Sequence, residues 1–379
     1  MCDILKHTTM KTGDKTMKKI HRTLSLFTVA AMCAALLCSC GEVPDSSQTD
    51  SSSKAATTTT ADTTTTGEAS STASATSAPD SSVSDSSSAV TDDTKTNGIT
   101  PAMWKVTSPE GNTMVMLSSF HALKDECYPL PEAVTNAYNN ADILAVECDI
   151  TSTSEDGEYM KNLMKQMLYN DNTKLSQHIS EEAYSALQTY LGYWGMDISA
   201  LEVYRPWAVS STLDTLLIQD SDFDTEKGLD NFLLTTAHAD GKEIYEVESV
   251  DFQMNMLINF SDDIYDLMFR SYEGETKESQ KQALEDLYTA WKSGDIETFL
   301  EEDNEEELAG YTEEDKKIVE DYNNQMLYDR NKNMAKAAED LMSQGKNVFY
   351  VVGAAHYAGE GGIIDLLEKD GYTAERVQY

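Results

Sequence analysis

Apolar residues recur along this chain in two rhythms, and the change from one to the other divides it. The short runs "MWKVTSP" and "TMVMLSSF" are separated by Pro109-Glu110-Gly111-Asn112, a turn signal that predicts a β-hairpin. His121 follows the second run directly. Pro129 and Pro131 open a predicted helix that reaches about Asn140, and "DILAVECDI" is a short apolar run of the kind that forms a buried strand.

The far end repeats this order. A helical pattern from about Asn331 to Gln344 stops at Gly345, a strand "NVFYVV" leads to His356, a helix runs to Gly371, and "TAERVQY" reads as a last strand. The two ends look like distant copies of one unit, each with a strand that delivers a histidine. Between them the spacing changes to 3.6 residues in "SEEAYSALQTYLGYWG", "RPWAVSSTLDTLLIQ", "EKGLDNFLLTTAHADGK", "DFQMNMLINFSDDIYDLMF" and "ESQKQALEDLYTAWKSGD". Ser180 is placed as an N-cap, with Glu181 and Glu182 in the first turn. One short strand, "EIYEVES", interrupts the helices, and the acidic run "EEDNEEEL" near 301–308 reads as a solvated face or loop.

Upstream the pattern has a different meaning. From Met17, the basic residues Lys18, Lys19, His21 and Arg22 precede an apolar stretch from Leu24 to Leu37, the layout of a secretory signal. It ends in Leu37-Cys38-Ser39-Cys40, which resembles a bacterial lipobox with Cys40 as the lipidated residue. Residues 41–99 are mostly Ser, Thr, Ala and Asp with almost no large apolar side chain. Such a segment has too little apolar surface to offset the entropy of ordering, so a disordered tether is expected. The expected organisation is therefore a leader and extension over 1–40, a linker over 41–99 and one folded domain over 100–379, held outside the cytoplasm by lipid on Cys40.

Composition narrows the chemistry. A net charge of −38 over 379 residues leaves no basic stripe to neutralise phosphates, so nucleic acid is not an expected partner. Of six cysteines, only Cys127 and Cys148 fall in the folded part, and their spacing matches neither a zinc knuckle nor a redox CxxC. They are expected either as a disulfide or as two free, buried thiols. The chain lacks H-E-x-x-H, G-x-S-x-G, a Walker A loop and G-x-G-x-x-G.

Four histidines lie in the folded part: His121, His178, His238 and His356. His178 precedes a helix start and His238 sits near a helix C-terminus, where an imidazolium suits the helix dipole; both read as structural. His121 and His356 are different, because each directly follows an apolar strand, in "LSSFHAL" and "VVGAAHYA". The carboxyl ends of strands are where open α/β sheets hold ligands. Glu147 lies inside the apolar run "ILAVECDI", where an ionised carboxylate needs a partner, and Glu248 closes the middle strand. Arg330 opens a helix, the wrong end for a cation, so an acidic partner is expected to hold it. Two imidazoles with one or two carboxylates suit a divalent metal such as Mn, Co or Zn, which activates water for hydrolysis.

At these residues the chain resembles the TraB/PrgY/GumN family, relatives of the Tiki metalloproteases. The resemblance runs from "WKVTSPEGNTMVMLSSFHALKDECYPLPEAV" to "VFYVVGAAHYAGEGGIIDLLEKDGYTAERV", with "ADILAVECD", "YRPWAV", "KGLDNFLLTTAHADGKEIYEVESVDFQ" and "DRNKNMA" between. It implies an α/β (α+β) fold of the EreA/ChaN/Tiki-like kind. Two pseudo-symmetric β-α-β units would form a central mixed sheet, with a helical insertion between them. It also implies two G-x-x-H motifs facing one site. The second is intact from Gly353 to His356, with Gly359 beyond it; in the first, Ser118 stands where the family has glycine. If the backbone there required positive φ, serine would strain it.

The site expected from these readings has His121, His356 and Glu147 holding the metal. Glu147 or Glu248 would act as general base, and Arg330 would stabilise an oxyanion. The expected activity is hydrolysis of a peptide or small molecule. A binding protein that captures such a ligand without turnover, and a structural surface protein, remain alternatives.

Overall fold

The computed structural model describes residues 98–151, 157–299 and 310–379. The expected leader with Cys40, the linker up to residue 97 and the acidic run 301–308 lie outside the described residues.

The predicted hairpin is present as β1 (Met103–Thr107) and β2 (Thr113–Ser119), paired antiparallel with Met103 opposite Leu117. Strand β3 (Ile143–Val146) is apolar and buried at every position, the pattern of a strand covered on both faces. So is β5 (Val348–Gly353). The middle strand β4 (Glu243–Glu246) and the last strand β6 (Thr373–Arg376) are polar and lie at the two edges, with the sheet order β4-β3-β5-β2-β1-β6. Only β1 runs against its neighbours, so the sheet is mixed and the fold is α/β.

Every crossover but that from β3 to β4 skips at least one neighbour. β2 returns through α1 (Glu132–Asn140) to β3, with β5 inserted between them. β5 returns through α11 (Ile363–Lys369) to β6, passing over β2 and β1. The central pairs therefore join the two ends of the chain, with Ser119 opposite Gly353 and Val146 opposite Val351.

The helical rhythm of the middle yields α2 (Gly157–Gln166), α3 (Glu181–Gly192), α4 (Pro206–Gln219) and α5 (Leu229–Asp240). Ser180 caps α3 by accepting from the Ala183 N–H. "DFQMNMLINFSDDIYDLMF" resolves into two helices, α6 (Val250–Ile258) and α7 (Asp262–Arg270), broken at Asn259–Ser261. Then come α8 (Lys277–Ser293), α9 (Glu313–Asn323), a π-helical turn at Asn324–Tyr328, and α10 (Asp329–Met342). Buried apolar residues form two clusters, one around the sheet and one among helices α2 to α9. No helix among the described residues is long and apolar enough to cross a membrane. Cys127 and Cys148 are free, buried thiols rather than a disulfide.

Candidate active site

Strands β2, β5, β3 and β4 run parallel, so their carboxyl ends open on one edge of the sheet. His121 lies two residues beyond β2, Glu147 one beyond β3, Glu248 two beyond β4, and His356 in a 3-10 turn (Ala354–Tyr357) just after β5. The β3–β4 pairing continues past both strands, with the Glu248 N–H donating to the Glu147 carbonyl at 2.8 Å. Arg330 enters from the first turn of α10. All five residues singled out from the sequence thus meet at one place.

Gly353 is the point around which they pack. Its φ is −54°, open to any residue, so the glycine is not needed to turn the strand as the sequence suggested. What it supplies is space. A Cβ there would stand 3.1 Å from Glu147 Oε1, 3.5 Å from His121 Nε2 and 3.7 Å from the His356 ring. Its N–H donates to Glu147 Oε1 at 2.7 Å. The expectation about Ser118 changes accordingly. The ladder aligns Ser119, not Ser118, with Gly353, and Ser119 lines the cavity while Ser118 does not. Successive strand residues face opposite sides, so the serine that replaces the family glycine points away from the site. Gly359, with φ of 63°, does adopt the left-handed region at the turn into α11.

Each imidazole is oriented from behind by its Nδ1. His121 Nδ1 lies 2.8 Å from Asp230 Oδ2, and His356 Nδ1 lies 2.6 Å from Asn331 Oδ1. Asn331 is itself fixed by donating to the Gly361 carbonyl at 2.9 Å. With Nδ1 as donor, each ring in its neutral form presents Nε2 as an acceptor, the arrangement that outer-shell partners impose on metal-binding histidines. Burial opposes protonation of His121, yet Asp230, with help from Glu147, raises it to about 9. His356 is pushed down to about 3 by burial and by the Arg330 charge, so it is neutral near pH 7.

Arg330 is buried and shared between two carboxylates. Its Nη2 donates at 2.8 Å to Glu147 Oε2 and at 2.8 Å to Glu248 Oε2, and its Nε donates to Glu248 Oε1 at 2.9 Å. Its Nη1 donates to the Met326 carbonyl, within the π-helical turn. A guanidinium has five N–H donors. Four are engaged in these bonds, which leaves one on Nη1 for any oxyanion. Gln253 Nε2 joins the same two carboxylates, at 3.0 Å from Glu147 Oε2 and 2.6 Å from Glu248 Oε2. Glu248 does not line the cavity; it holds Arg330 from behind. Burial alone would raise the Glu147 carboxyl, but His356, Arg330, His121 and the Gly353 N–H hold it well below the usual carboxylate range. With His356 neutral, Arg330 and His121 are the cations that do this.

Asp230, Gln253 and Asn331 were not anticipated as site residues. A close contact explains how Asp230 reaches the site. A Cβ on Gly228 would stand 2.1 Å from the His121 carbonyl oxygen, so only glycine lets the start of α5 press against His121 and bring Asp230 to its ring. His178 and His238 lie away from the cavity, paired with Asp262 and Asp149, as structural roles require.

The site opens into a cavity of about 130 Å³ where the sheet cluster and the helical cluster meet. Among the described residues no group of three or more His, Cys, Asp or Glu side chains comes together as a metal cage. The donors that suit a divalent ion are the two Nε2 atoms, and Glu147 Oε1 lies 3.7 Å from that of His356.

Comparison with known proteins bears on this arrangement. The chain is 25% identical to a metalloprotease TIKI homolog of Nematostella vectensis over 293 residues, 66% of this chain and 61% of that protein. It is 26% identical to the uncharacterized protein YbaP of Escherichia coli (strain K12) over 157 residues, 41% of this chain and 56% of that one. Metalloprotease TIKI2 of Danio rerio is 25% identical over 164 residues, 39% of this chain and 32% of that protein. The matches to the first two thus span 56–61% of those relatives' length. No solved structure gives a significant match. The sequence profile of the TraB/PrgY/gumN family matches residues 102–376, and the chain belongs to that family.

Proposed function

We propose that this protein is a divalent-metal-dependent hydrolase that acts on peptides. The observation that carries the reading is the pair of imidazoles at neighbouring strand ends. Asp230 and Asn331 hold their Nδ1 atoms, and both rings pack with Glu147 Oε1 around Gly353. Relatives named metalloproteases support it. His121, His356 and Glu147 would hold the ion. Bound there, it would polarise a carbonyl and bring the pKa of its water toward 7.

The chain's own residues prepare this chemistry. Asp230 and Asn331 fix both rings, Arg330 and Gln253 keep Glu147 ionised and still, and the remaining Arg330 Nη1–H is available to a substrate oxygen. Because His121 holds its proton up to about pH 9, an ion must displace that proton to bind. The cavity walls beyond the cluster are largely apolar, a surrounding of low polarity that strengthens each of these charges.

Metal content and cleavage of a peptide library, measured on wild type, His121→Ala and His356→Ala, test the reading. Stoichiometric metal and cleavage in wild type, both lost in the variants, support it. Unchanged metal and cleavage in both variants sink it. A second reading is capture of a peptide without turnover. It draws on the Arg330 ion pair, which leaves Glu147 a poor base. Saturable peptide binding with no products would select it.

The same reading puts the domain outside the cytoplasm, tethered by lipid on Cys40. Radiolabelled palmitate incorporated by wild type but not by Cys40→Ser would support that placement, and equal labelling would reject it.

A further inference from the structure

The walls of the cavity divide sharply by chemistry. Every charged group that lines it belongs to the cluster already described: His121, Glu147, Asp230, Arg330 and His356. Beyond them the wall is dominated by Phe120, Ile218, Leu257, Leu284, Phe299 and Met326. These six side chains are core residues, each less than 9% exposed, so the space between them is preformed and needs no rearrangement to receive a ligand. They come from both hydrophobic clusters, which places the apolar space at the seam where the helices close over the sheet edge.

We propose that this apolar end is a subsite for one large aliphatic or aromatic side chain of the substrate, seated beside the bond that is cleaved. The inference rests on the hydrolase reading and names the substrate class it requires. Size limits it to one side chain: the whole cavity, polar and apolar parts together, is about 130 Å³, against the roughly 150 Å³ of a Leu/Ile/Phe-lined cavity that admits benzene. Chemistry supports it as well. A charged side chain placed here would lose its hydration and meet no opposite charge outside the catalytic cluster. A small polar one would leave the space unfilled. A side chain of leucine or phenylalanine size fills it and leaves its own backbone at the polar end, among the imidazoles and Arg330.

The test uses ligands that cannot be hydrolysed at a peptide bond between residues, so it does not depend on turnover. Binding of N-acetyl-leucinamide, N-acetyl-phenylalaninamide, N-acetyl-serinamide, N-acetyl-aspartamide and decanoate to the full chain is measured by calorimetry or NMR. The leucine and phenylalanine amides should bind at least about tenfold more tightly than the serine and aspartate amides. Filling the space with Ile218→Phe should weaken the phenylalanine amide about tenfold and leave the serine amide unchanged. Leu257→Phe provides the same check from the other cluster if the first variant folds poorly. Equal binding of all four amides, or saturable binding of none, overturns the subsite. Decanoate binding more tightly than either apolar amide overturns the side-chain assignment in favour of an acyl chain. A protein that prefers the apolar amides yet neither holds metal nor cuts peptides keeps the subsite and loses the hydrolase reading.

Discussion

The two histidines of the site stand in matching places and differ in what lies behind them. His121 is backed by the carboxylate of Asp230, at the start of a helix pressed against its carbonyl. His356 is backed by the neutral amide of Asn331, one residue from the cation Arg330. The first ring is therefore driven toward the imidazolium, to about 9, and the second toward the neutral base, to about 3. Strand placement makes the pair, and the outer partners make its members unlike. A site built this way holds one proton in a defined position before any ligand arrives.

The largest disturbance of that contrast is removal of the buried cation that both rings feel. Arg330→Met leaves Glu147 and Glu248 buried without their partner, and should destabilise the domain by about 3–5 kcal/mol in urea unfolding. In the protein that remains folded, the His356 pKa should rise from about 3, because the repelling charge is gone. Next in size, Asp230→Asn makes the two rings alike. The His121 pKa should fall below its ordinary 6.5, since burial then acts unopposed by that carboxylate, and NMR titration of the imidazole carbons reads this directly. Metal affinity should drop by about 10- to 100-fold through loss of the orienting anion.

The contrast also fixes a pH profile for the metal-free protein. His121 binds its proton more tightly folded than unfolded, so its contribution to stability is full below pH 6.5 and is lost as pH rises through about 9. His356 is the reverse: its contribution is full above 6.5 and is lost as pH falls toward about 3, and the lowered Glu147 carboxyl adds a loss of the same sign on the acid side. The two terms together favour pH near 6.5, and urea midpoints at pH 5, 6.5 and 9 check the shape. Asp230→Asn should abolish the alkaline fall and keep the acid one. The smallest effect is expected at Ser118. Its side chain faces away from the cavity and its buried Oγ has no hydrogen-bond partner, so Ser118→Gly should change stability by no more than about 1 kcal/mol and leave activity within twofold.

Ser118 also shows where reading the sequence stops. Counting three residues back from each histidine matches Ser118 with Gly353. The two turns differ, however, two residues from Ser119 to His121 and three from Gly353 to His356, so the ladder pairs Gly353 with Ser119. Residues such as His121, Glu147, His356 and Arg330 were legible because each breaks a local expectation: a titratable group at a strand end, a carboxylate in an apolar run, a cation at the wrong end of a helix. Asp230, Gln253 and Asn331 break none. An aspartate in a first helical turn or an asparagine beside an arginine is ordinary, and only the topology that brings α5, α6 and α10 to one sheet edge gives them a role. The strand order was equally hidden, because the crossovers into β3, β5 and β6 skip strands and nothing local encodes the skip.

That skipped position has a consequence for how the site is held together. Strand β5 is the only bond between β2 and β3, and it begins at Val348 of 379 residues. Without it, the described strands fall into two groups with no pairing between them, β6, β1 and β2 on one side and β3 with β4 on the other. Pairing over so long a stretch of chain is also slow. The candidate site is consequently a product of one strand: β5 brings Gly353 and His356 to Glu147 on one side and to His121 on the other.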